Sequence, residues 1–140
     1  MKPHIEESLR SLRAAARDIT AFDVLRKAAG VDLASVCFHA QQAVEKSLKA
    51  LLFLHQVEFR RTHDLLELAQ LLRQFGVETP VPDDQLSRLN PFAVTFRYDD
   101  VQEEGTISRG EAAALVMIIH RWAEEQIQAA LGESDAASDH

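Results

Sequence analysis

Apolar residues along the chain recur at three- and four-residue spacing rather than alternating, and the pattern predicts five helical segments. The first runs from about Ile5 to Ile19, with Ile5, Leu9, Leu12, Ala16 and Ile19 on one side. A break near Gly30 separates it from the second, Asp32 to His55, where Asp32 is a candidate N-cap. At roughly 1.5 Å per residue this helix would be about 36 Å long, the length of a small domain. Its inner side is Cys37, Ala40, Val44, Leu48, Leu51 and Leu52. Thr62 is placed to cap a third helix that ends at Phe75, before Gly76, a suitable C′ residue. Pro80 and Pro82 mark a loop, and a fourth segment from Asp83 or Asp84 to about Phe96 is interrupted by Pro91. Ser108 and Glu111 match a capping box opening a long last helix, whose Leu115, Ile118, Ile119, Trp122 and Ile127 predict a broad buried stripe. Gly132 reads as the end of that helix. Residues 1–131 then form one domain and residues 132–140 a flexible acidic tail. The expected fold is all-α, an up-and-down bundle of four to five helices.

Composition agrees with that reading. In 140 residues there are only 5 Gly and 4 Pro, and β-branched runs are nearly absent. A single cysteine, Cys37, rules out an internal disulfide, and its place on the apolar side makes it a small core residue rather than a nucleophile. No apolar run is long enough to cross a bilayer, and the polar opening MKPHIEESLR has no signal-peptide core, so a cytoplasmic location is the expectation. The net charge of −7 argues against a protein that coats nucleic acid. The charge is uneven, however. Residues 1–77 hold eleven Lys/Arg against nine Asp/Glu, and residues 78–140 hold four against thirteen. The first half can therefore present a locally basic surface.

Three clusters could carry chemistry. His39, Gln42, Lys46 and Lys49 fall at helical spacing and form one polar stripe on the second helix. An imidazole, an amide and two ammonium groups in a row suit a phosphate or a base edge; the alternative is a solvated face or a partner interface. Arg60, Arg61, Thr62, His63 and Asp64 form a corner at a helix N-terminus, where two guanidinium groups and free N–H groups would favour an anion. Arg97, Tyr98, Asp99 and Asp100 place a tyrosine between an arginine and two acids, where it could stack on a base or receive a nucleotidyl group. The six histidines show no i, i+4 pair and the cysteine is alone, so no metal site is expected.

The run Phe38–Ala43, the pair Glu45-Lys46, the segment Leu48–Leu52, then His63-Asp64-Leu65 and Arg97-Tyr98-Asp99 resemble the HEPN domain, a small helical family of higher eukaryotes and prokaryotes. The likeness spans roughly residues 5–131. Many RNA-cutting members carry an arginine and then a histidine with four to six residues between them. No pair here fits that spacing, since Arg60 and Arg61 are too near His63 and Arg109 is too far from His120. The resemblance implies instead a non-catalytic subunit paired with a minimal nucleotidyltransferase, in the manner of a toxin–antitoxin module. Such a subunit would be a homodimer binding a nucleotide such as ATP through His39, Gln42, Lys46, Arg61, His63, Arg97 and Tyr98. The alternative it implies is a ribonuclease toxin with a divergent active site.

Overall fold

A computed structural model describes residues 1–93 and 107–138, with residues 134–138 described only as the course of the helix. The described residues form five α-helices, α1 (Pro3–Lys27), α2 (Leu33–Leu54), α3 (Leu65–Gln74), α4 (Asp83–Ser87) and α5 (Arg109–Ser138), with one 3₁₀ turn at Asn90–Ala93. No strand occurs among them, and the architecture is the expected all-α bundle.

The bundle is built around α2, which packs on α1, α5 and α3. Val36, Cys37, Ala40, Val44, Leu48, Leu51 and Leu52 are all buried, as their spacing predicts. The contact with α1 is close because both helices are small there. Ala15, Ala43 and Ala50 are buried, and Ser8 and Ser11 donate to the carbonyls of Ala50 and Lys46, each at 2.7 Å. A hydroxyl reaching a main-chain oxygen of the neighbouring helix needs the two backbones drawn together, and alanines allow it.

Several boundaries differ from expectation. Helix α1 continues eight residues past Ile19, because Phe22 extends its buried row and Leu25 packs beside it; Ala15, not Ala16, is the buried alanine. The end of α1 is held from a distance. Nη1 of Arg109 donates to the carbonyls of Leu25, Arg26 and Ala28, and Nη2 donates to that of Val31. One guanidinium thus bonds two of the last-turn carbonyls of α1 and two just beyond its end. Asp32 stands at the N-cap of α2 but makes no capping bond, its carboxylate accepting from Ser35 Oγ at 2.6 Å.

Helix α3 is capped by Asp64 rather than Thr62: Asp64 Oδ1 accepts from the Leu66 N–H at 3.0 Å, while Thr62 Oγ1 accepts from the Asp64 N–H. Gly76 does close it, at φ +83, where a side chain would be strained. The Ser108–Glu111 capping box is present with both reciprocal bonds at 3.1 Å. Pro91 lies in the 3₁₀ turn, so the fourth segment is split as the proline predicts. Two readings of α5 need correction. Ile118 is 45% exposed, since the buried row runs through Leu115, Ile119, Ala123 and Ile127. Gly132 does not end the helix, which runs on to Ser138; a glycine in a helix interior costs about 1 kcal/mol, too little to stop an alanine-rich segment.

Candidate functional site

The polar stripe of α2 lies in a groove between two walls. At about 100° per residue, His39, Gln42, Lys46 and Lys49 cover an arc of about 80° of the helix, and Glu45 lies some 40° further round. Helix α1 forms one wall and the segment leading into α3 the other.

Each wall contributes a carboxylate pairing. On the α1 side, Asp18 takes His39 Nδ1 at 3.0 Å and Lys46 Nζ at 2.5 Å on its two oxygens. On the α3 side, Glu45 accepts from Gln41 Nε2 at 3.2 Å and Lys49 Nζ at 3.0 Å, and pairs with His63 Nδ1 at 2.9 Å. Gln41 also donates to the His63 carbonyl, and Gln42 donates to Gln41 Oε1, so two adjacent amides join the Glu45 pairing. The burial is graded. The Glu45 and Asp18 side chains are 4% and 12% exposed, against 18% for Lys49, 30% for His39, 33% for Lys46 and 56% for His63. The acids lie beneath and the donors face outward. Lys49 is further fixed over the Phe59 ring, 5.8 Å from its centroid.

The structure thus brings His39, Gln42, Lys46 and His63 together, and corrects the picture of the Arg60–Asp64 corner as an open anion site. The first N–H groups of α3 are occupied: Leu65 donates to Asn90 Oδ1 at 2.9 Å and Leu66 to Asp64. Arg60 is held by Glu67 at 2.7 Å. Arg61 remains exposed at the groove's edge in sequence, two residues before His63. Arg97 and Tyr98 lie outside the described residues, as do Asp99 and Asp100.

Sequence reasoning missed the two carboxylates. Asp18 carried a readable signal, because Ser8, Ser11, Ala15, Asp18 and Phe22 share one face of α1, and an acid in a packed row needs a partner. Glu45 gave less warning, being next to Lys46 and one turn before Lys49, which look equally solvated. Cys37 is buried, and burial pushes its thiol up to about 11, with Arg109 pulling weakly the other way. That suits a core residue. Among the described residues, no group of three or more His, Cys, Asp or Glu is placed to share a metal ion, and no helix is long and apolar enough to cross a membrane.

Comparison with known proteins agrees with the all-α fold. No curated protein matches the chain in sequence. A solved structure, that of an archaeal HEPN homologue, is similar with a TM-score of 0.56 and 25% identity, over 86% of this chain and 97% of the other. The HEPN domain model matches residues 8–128, from the first buried serine of α1 to one residue past the last core isoleucine of α5. With α2, α3, α4 and most of α1 and α5 inside that match, the chain belongs to the HEPN domain family.

Proposed function

We propose that this chain is a non-catalytic, nucleotide-binding subunit that works with a small nucleotidyltransferase, as one half of a toxin–antitoxin pair, and that it associates as a homodimer. The observation that carries the reading is the layering of the α2 groove, with acids beneath and donors above. An ammonium group has three donors, and Lys46 gives one to Asp18 while Lys49 gives one to Glu45. The remaining N–H bonds can meet phosphate oxygens without breaking either pair. Gln42 adds an amide between them, and His63 adds an exposed ring whose orientation Glu45 sets.

Because each ammonium already faces a carboxylate, the groove attracts phosphate only moderately. That suits a subunit that holds a nucleotide while a partner's site does the chemistry. None of its arginines precedes a histidine with four to six residues between them, which favours placing the chemistry in the partner. The test is recovery of the tagged protein from its native cells, with mass spectrometry of whatever accompanies it. A stoichiometric nucleotidyltransferase is the expected result. A bare chain that also fails to bind ATP would overturn the reading.

His63 supports a second reading, a ribonuclease with a divergent site. A buried carboxylate on Nδ1 leaves Nε2 open, the arrangement in which an imidazole can take a proton from a ribose hydroxyl. Cleavage of RNA by the pure protein, lost in a folded His63→Ala variant, would establish it; intact RNA would remove it.

A further inference from the structure

Helices α1 and α5 lie side by side and antiparallel against α2. Arg109, at the start of α5, bonds carbonyls at the end of α1, and at the opposite end Ile5 of α1 shares a cavity with Gln126 and Ala130 of α5. Each helix turns one row of side chains inward and leaves the opposite row uncovered. On α1, Ser8, Ala15 and Phe22 are buried, while Arg10, Arg13, Arg17, Thr20, Val24 and Lys27 form one exposed line. On α5, Val116, Ile119, Ala123 and Ile127 are buried, while Met117, Arg121, Glu124, Glu125 and Gln128 form the exposed line. Both lines carry a large apolar side chain in water, Val24 at 66% exposure and Met117 at 50%. Their charges are opposite. Arg10 pairs with Glu7, but Arg13 and Arg17 meet no acid among the described residues. Glu125 meets no base among them, and Glu124 has only His120, at 3.4 Å.

We infer that this two-helix face is where a second copy of the chain docks, with α1 of each copy against α5 of the other. The inference rests on the homodimer proposed above and deepens it by naming the surface. Charge selects the arrangement. A two-fold axis parallel to the helices keeps every residue at its own level along the bundle. Setting α1 against α1 would bring two arginine rows face to face, whereas setting α1 against the other copy's α5 brings arginines beside glutamates. The levels agree with the second choice. Arg109 lies beside Ala28, and Glu124 and Glu125 come about 15 residues after it, roughly 23 Å along the axis. Arg13 stands about as far before Ala28, level with the two glutamates, and Arg17 is one turn away. By the same measure Met117 comes level with Thr20, one turn from Val24. Each contact is made twice, and the four helices close into a ring in which neighbours alternate in direction.

Sedimentation equilibrium of the whole protein provides the test, with charge reversal on either helix. Arg13→Glu with Arg17→Glu should weaken the dimer at least about tenfold, because both contacts then set acid against acid. Glu124→Arg with Glu125→Arg should weaken it as much, and circular dichroism checks that both variants fold. Mixed in equal amounts, the two variants should regain the unmodified affinity, since each offers the other an opposite row at both contacts. A chain that had merely lost stability would gain nothing from mixing. Unchanged affinity in both variants, or weakened variants that mixing does not rescue, would overturn the surface and leave the homodimer standing. A monomer in the unmodified protein would overturn the homodimer itself.

Discussion

Replacing Glu45 by glutamine tests the groove at its most buried point. The carboxylate is 4% exposed and serves Gln41, Lys49 and His63 at 3.2, 3.0 and 2.9 Å. Glutamine keeps the shape, but its single carbonyl oxygen can satisfy only part of that set, and its N–H₂ must face another donor. Bonds to charged groups are worth about 1.5–3 kcal/mol each. Only part of this is lost, because His63 is more than half exposed and Lys49 is long enough to turn toward water. A net loss of about 2 kcal/mol follows, and for a chain of this size that lowers Tm by about 6 °C. Urea unfolding followed by circular dichroism at neutral pH measures it, with the slope unchanged. The imidazole ¹⁵N shifts of His63 should move as well, since the carboxylate sets its tautomer. Exposed Glu58→Gln is the control. A loss below about 0.5 kcal/mol, or one matched by the control, would refute the view that Glu45 organises the site.

Other substitutions address other joints. Arg109→Ala should cost about 2 kcal/mol and speed amide exchange in the last turn of α1, because four carbonyls lose a side-chain bond and only that of Leu25 keeps a main-chain donor, the Ala28 N–H; unchanged exchange there would contradict the clasp. Gln56 ends α2 at φ +56, so Gln56→Gly should stabilise the protein by about 0.5–1 kcal/mol in the same urea assay; a loss would show that the side chain matters more than the backbone. Cys37, pushed up to about 11 from 9.0, should carry about a hundredfold less thiolate at pH 8 than an ordinary cysteine. Its reaction with a thiol reagent should therefore be slow in the folded state and fast in denaturant, and equal rates would contradict its burial.

The helical class, the inner side of α2, the Gly76 stop and the Ser108–Glu111 box were all legible because each depends on local spacing. What escaped depends on residues distant in sequence. Arg109 ends α1 from more than 75 positions away, and Asn90 caps α3 from 25. Neither has a local pattern. The stripe on α2 was legible as a row of donors, but its electrostatics were not, because half of each pair comes from Asp18 on another helix or from the buried Glu45. The corner before α3 misled for a related reason. Its Arg60 and helix N–H groups look open in sequence and are occupied in the fold by Glu67, Asp64 and Asn90.

The most direct test of the account is a heteronuclear NMR titration of the isotope-labelled protein with ATP. The account predicts that shifts concentrate on the α2 groove, at His39, Gln42, Lys46, Lys49 and His63, and that Lys46→Met and Lys49→Met together abolish them while the spectrum stays folded. No shift at millimolar ATP, or shifts confined to the far end of the bundle around His4 and His55, would contradict it.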